Sequence, residues 1–220
     1  ILFLKFFIGL IIHQLTNFLC NKKNYLLDNP NFSIHKELTK NKNLPLTGGI
    51  TFLILFLIFV DGFIELKIFG SLIFFIGLFS DLNFINSPKL RFFAQIIITL
   101  LFVSFFQNNV FFTDINIIDK FLENYYFSIF FTAFCLLILI NGTNFIDGLN
   151  GLVITYYIIV LSILTLASNL FNLYIDLDLV VNLVLILLIL LIFNVTNKNF
   201  IGDSGSYLIS FIIGSFLISF

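Results

Sequence analysis

The sequence predicts an all-α fold: a polytopic transmembrane helix bundle of about eight spans. Three observations predict it. Residues are 60% hydrophobic against 10% charged, apolar stretches of span-like length recur along the whole chain, and polar residues gather in the connectors at one face. A water-soluble fold must clothe its outside in polar groups and cannot hide that much apolar surface. With a mean hydropathy of +1.10, the bilayer is the solvent that suits this composition.

A helical span needs about 20 apolar residues and satisfies its own backbone hydrogen bonds. The apolar stretches place spans at 1–20, 46–60, 64–79, 91–107, 126–141, 151–169, 178–194 and 206–220. The second and third are short and divided by Asp61-Gly62. No internal repeat or soluble domain is evident, so 1–220 reads as a single transmembrane domain. The chain lacks Met even at position 1 and stops inside the apolar run FLISF, which predicts truncation at both ends. Cys20 and Cys135 lie in or beside apolar stretches and read as small core residues, not a disulfide or metal pair.

Alternation assigns the connectors to two sides. Side one holds Lys22, Lys23, Lys36, Lys40, Lys42, Lys89, Arg91 and Lys198; side two holds Lys5, Lys67 and Lys120. Cytoplasmic loops carry the Lys/Arg excess, so side one is expected to face the cytoplasm. A net charge of −1 gives no basic field for nucleic acid, which is not expected as a partner.

Four side-one segments hold the chemistry. In the first, Leu26–Ile50, basic residues suit an anion or lipid phosphate, but an ordinary positive-inside loop is the favoured reading. Gly48 and Gly49 at the start of a span allow close backbone approach and offer helix N-terminal amides, an anion-binding arrangement. The second, Gly77–Gln95, puts Asp81 where a helix leaves the membrane, with Lys89 and Arg91 after it. Helix capping alone would account for an Asp there.

In the third, NGTNFIDGLNGL, Asn141, Asn144 and Asp147 recur every three residues. Helical geometry puts them along one face, where they either join helices by hydrogen bonds or line a wet polar site. The fourth, FIGDSGSYL, sets Asp203 in a Gly-rich turn before the last span. Its GDSG string matches the nucleophile loop of trypsin-like proteases, but no triad His and Asp accompany it, and Ser204 reads better as an N-cap or phosphate donor.

Asp81, Asp147 and Asp203 thus emerge at one face from different helix ends, and they are expected to converge around one cation. Oxygen-rich sites of this type suit Mg²⁺, which takes a few carboxylates together with waters and substrate phosphates. A site of that composition can neutralise a diphosphate during phosphoryl transfer.

At these four motifs the chain resembles the polyprenyl-phosphate N-acetylhexosamine-1-phosphate transferases, with the PLTGG form nearer the N-acetylglucosamine branch than the muramoyl-pentapeptide branch. The resemblance runs from about Asp28 to the end. It implies an integral enzyme of a bacterial-type inner (plasma) membrane that moves a sugar-1-phosphate from a UDP-sugar to a polyprenyl phosphate, releasing UMP. A homodimeric assembly is compatible with it. By motif position Asp203 would be the Mg²⁺ ligand, Asp81 would activate or orient the lipid phosphate, and Asn144 and Asp147 would hold the nucleotide and its metal environment. Lys42 and Lys89 would be phosphate contacts.

The sequence departs from the family pattern at three places. Ser80 stands where the family has the first of two adjacent Asp residues, and Asn150 stands where many members have Asp. The family's His-rich loop near the C-terminus has no counterpart in this chain, whose histidines are His13 and His35. His13 within the first span reads as a packing residue. Two other classes stay open on sequence alone, a multi-span transporter and a catalytically silent scaffold. A transporter would place polar residues at mid-bilayer, where these spans are nearly bare Phe, Leu and Ile.

Overall fold

The computed structural model describes residues 1–23, 25–27, 44–106, 109–110 and 112–219. Nine α-helices occur among them. These are α1 (Leu2–Lys23), α2 (Gly48–Phe59), α3 (Ile64–Asp81), α4 (Pro88–Phe106), α5 (Asn116–Leu122), α6 (Tyr125–Ile146), α7 (Leu152–Phe171), α8 (Leu177–Val195) and α9 (Gly202–Ser219). Eight fall on the expected stretches; α5 is a short addition in the connector after α4. Five helices (α1, α4, α6, α7 and α8) are long and apolar enough to cross a membrane. The expectation of about eight spans is met only to that extent. Helices α2 and α9 are apolar but shorter, and α3 carries Glu65, Lys67 and Asp81.

The outer surface is what a lipid-facing bundle requires. Phe93, Ile97, Leu101 and Phe105 form an exposed row along α4, and Phe130, Phe134 and Ile138 form another along α6. Side chains four apart share a helix face, so these are continuous apolar stripes that water would not tolerate. The chain is an integral membrane protein.

Helix α9 is the centre of the bundle, buried from Ser204 through Phe216, with α2, α3 and α6 packed on it. Contacts fix the directions. Gly77 meets Ser204 while Gly70 meets Leu208 and Ile212, so α3 runs antiparallel to α9. Gly49 meets Gly205 at the start of both helices, so α2 runs parallel. These are glycine contacts by necessity: a Cβ at Gly77 would lie 2.4 Å from Ser204 Cα, and one at Gly49 would lie 2.5 Å from the Gly205 nitrogen. Some polar residues of the core bond within their own helix, as when the Ser210 hydroxyl donates to the Ser206 carbonyl at 2.6 Å.

A second polar cluster ties α1 to α2. His13 is fully buried and bonds to the Thr51 hydroxyl at 2.9 Å and to the Asn17 amide at 3.1 Å, with its ring 4.2 Å from that of Phe193. This is the packing role expected of it.

Helix ends differ from expectation where polar residues continue a helix. Helix α4 starts at Pro88, not at 91, because a proline fits the first helical turn at no hydrogen-bonding cost. Helix α6 runs on past 141 to Ile146, since its Asn residues find partners inside the bundle.

Candidate functional site

The connections that join α3 to α4, α6 to α7 and α8 to α9 lie at the same end of the bundle, where the second, third and fourth motifs meet the described end of the first at Gly48 and Gly49. Asp81 is the last residue of α3. Its carboxylate accepts the backbone amides of Asp203 at 2.9 Å and Ser204 at 3.0 Å. It therefore caps a helix other than its own, supplying acceptor oxygens to the first turn of α9. The structure gives Asp81 a positioning role, with each oxygen already engaged. That geometry adds a positioning role to the one expected of Asp81 at the lipid phosphate.

Asp203 sits in the first turn of α9 itself, not in a turn before it as the sequence reading had it. Gly202 precedes it with φ +76°, and a Cβ there would lie 2.8 Å from the Asp81 carboxylate, so glycine is required twice over. The Asp203 carboxylate accepts from the Ser80 hydroxyl at 2.6 Å and from the Arg91 guanidinium at 2.5 Å. Arg91 also donates to Ser80 Oγ. Ser80, which cannot replace the charge of an Asp, is thus a donor to Asp203.

Asp147 is the C-cap of α6. Burial, then the charges of Asp203 and Asp81, hold its carboxyl well above the usual carboxylate range. Asp203 and Asp81 thus lie near enough to Asp147 to act on it electrostatically. Among the described residues, no three acidic, His or Cys side chains stand close enough to enclose a metal ion by themselves. The expected convergence of all three on one cation is corrected accordingly: Asp81 is committed to α9, which leaves Asp147 and Asp203. Two carboxylates fit Mg²⁺, whose remaining ligands are waters and phosphate oxygens, and a divalent ion would relieve their repulsion.

The Asn residues of the third motif are joined to neighbouring helices. Asn141 donates to Gln95 Oε1 at 2.9 Å, linking α6 to α4. Asn144 accepts from the Ser206 hydroxyl at 2.8 Å, linking α6 to α9. Asn150 bonds to Asn197, so the connectors before α7 and before α9 are also tied.

Gly48 and Gly49 overturn the expected anion site. Their amides donate to the carbonyls of Phe200 and Ile201, each at 3.1 Å, and both residues are buried. Their function is to let the start of α2 approach α9 backbone to backbone. Lys89 stands exposed at the second position of α4. Lys42 and His35 lie outside the described residues.

Two members of the site were missed in the sequence. Arg91 counted only as a charge on side one, because nothing local pairs it with a residue 112 positions away. Gln95 could have been found: it follows Arg91 by four residues, on the same face of α4.

Fold and site together define a class, a polytopic helical membrane protein with an arginine-neutralised carboxylate cluster at one end of its bundle. Residues 63–220 match the family model described as Glycosyl transferase family 4. The chain belongs to that family, the polyprenyl-phosphate sugar-1-phosphate transferases that the four motifs resemble. It is a transferase, and membership supports transfer of a sugar phosphate onto a lipid carrier. No curated protein matches the chain.

Proposed function

We propose that the protein transfers a sugar-1-phosphate, N-acetylhexosamine-1-phosphate by its motif forms, from a UDP-sugar to a polyprenyl phosphate at the cytoplasmic face of a bacterial-type inner membrane. The observation that carries this reading is the joining of Asp203 to Ser80, Asp81 and Arg91 at the side-one end of the bundle. The Lys/Arg excess on that side supports a cytoplasmic orientation. A water-soluble nucleotide sugar reaches this end from solution, and a lipid phosphate reaches it along the membrane surface.

An oxygen of the polyprenyl phosphate attacks the phosphorus that bears the sugar. The bond from that phosphorus to the UMP oxygen breaks, UMP leaves with the electron pair, and a lipid-linked diphosphate sugar remains. Asp203 and Asp147 are the residues that would hold Mg²⁺, which supplies charge neutralisation for the diphosphate. Asp81 fixes the first turn of α9 and hence the position of Asp203. Asn144, bonded to Ser206, stands beside this cluster as a candidate nucleotide contact, and exposed Lys89 as a candidate phosphate contact.

The test is an assay of the full-length protein with labelled UDP-sugars, polyprenyl phosphate and Mg²⁺. Formation of a lipid-linked diphosphate sugar with stoichiometric UMP is expected. Release of free sugar phosphate without the lipid product, or no turnover with any of several UDP-sugars, would overturn the reading.

A further inference from the structure

Arg91 is in an odd position for a residue beside a metal site. Its guanidinium covers the Asp203 oxygen that also accepts from Ser80, so a cation already occupies the place the proposed metal needs. The rest of the guanidinium is under-used, since Nε is buried and has no hydrogen-bond partner. One helical turn further on, Gln95 gives its carbonyl oxygen to Asn141 and faces the Tyr207 side chain. Buried donors without acceptors are rare and costly. One such donor on α4, at Arg91 Nε beside a carboxylate cluster, marks a place where an acceptor oxygen is missing.

Phosphoryl oxygens are the acceptors that the proposed reaction brings to this end of the bundle. A guanidinium suits them well, because its planar fork matches two oxygens at once. We propose that Arg91 exchanges partners during the reaction cycle. It masks Asp203 in the free enzyme, and it binds substrate phosphoryl oxygens once Asp203 is engaged by metal. This rests on the reading of the site as a Mg²⁺-dependent phosphate site. The exchange couples the two ligands: each frees the partner that the other needs, so metal and phosphate tighten one another reciprocally.

Mn²⁺ binding to the full-length protein in detergent, followed by electron paramagnetic resonance, tests this without turnover. Titrations are run on the wild type, Arg91→Gln and Arg91→Lys, alone and with either UDP-N-acetylglucosamine or undecaprenyl phosphate. Removing the masking charge from a partly exposed pair should tighten substrate-free Mn²⁺ binding roughly tenfold in Arg91→Gln. In the wild type, the substrate whose phosphoryl group Arg91 takes should tighten Mn²⁺ binding, and that identifies which of the two it is. Arg91→Gln should lose this coupling. Arg91→Lys keeps the charge without the fork, so its substrate-free affinity should stay near wild type while the coupling weakens.

Mn²⁺ binding that Arg91→Gln leaves unchanged or weakens, in protein that keeps its native melting transition, overturns the exchange alone. If Arg91→Gln does not keep that transition, full coupling in Arg91→Lys overturns it. Absence of Mn²⁺ binding in natively melting wild type overturns the metal reading, and the exchange with it.

Discussion

The carboxylate of Asp81 at the end of α3 and the backbone amide of Asp203 at the start of α9 are 2.9 Å apart and hydrogen-bonded. The same carboxylate takes the next amide, that of Ser204, at 3.0 Å. A side chain from one helix thereby sets the register of its antiparallel neighbour and aims the Asp203 carboxylate. Replacing Asp81 with Ala removes both bonds and should cost about 1–2 kcal/mol of stability. Asp81→Asn keeps one acceptor oxygen and should recover part of it. Thermal melting in detergent measures both, and equal melting of all three proteins would refute the capping role.

The glycine contacts predict a graded series. Gly77→Ala and Gly49→Ala force a Cβ into the α9 backbone, and overpacking of this kind costs roughly 1–3 kcal/mol or more. Gly142 has nothing within 4 Å of its would-be Cβ. Gly142→Ala should therefore leave melting unchanged or slightly raised, by up to about 1 kcal/mol from helix propensity.

Asp203→Asn should reduce transfer by roughly a hundredfold or more while the protein still inserts in the membrane. The amide keeps the size of the side chain but gives up the charge that Arg91 and a metal both require. A turnover assay beside a membrane-fractionation control decides the point. Near-normal turnover would remove Asp203 from the metal site.

Ser80→Asp replaces a donor to Asp203 with a further carboxylate. Repulsion among the acids should lower the melting temperature without metal, and the added charge should tighten Mn²⁺ binding. A thermal melt and a Mn²⁺ titration on the same sample check the opposite signs. A large gain in transfer would identify Ser80 as a loss of function in this chain.

The cluster around His13 makes a prediction about stability alone. His13→Leu leaves the Asn17 amide without its acceptor at the α1–α2 contact, at a cost of about 1–3 kcal/mol. Transfer per folded molecule should not change, because the cluster lies outside the carboxylate site. An activity assay normalised to folded protein separates the two effects.

Much of this was legible in the sequence, and the reason differs by residue. The helices were visible because apolar stretches report burial in lipid directly. Asp81, Asp147 and Asp203 stood out because charge beside an apolar span is costly and asks for an explanation. Gly48 and Gly49 were misread because a glycine pair serves anion binding and backbone packing equally well, and only the carbonyls of Phe200 and Ile201 decide between them. Arg91 was missed for a different reason: the sequence reports its charge but not which of three carboxylates the bundle folds against it. The role of Ser80 follows from the same contact, since a hydroxyl gains meaning only beside the carboxylate it serves.

Helix α9 follows α2, α3 and α6 in the chain, yet it lies at the centre of the three. During membrane insertion the earlier helices must hold a vacant slot, or close over one another and then reopen. The helix that fills that slot also delivers Asp203 to Ser80, Asp81 and Arg91. Completion of the core and assembly of the carboxylate cluster are therefore one event.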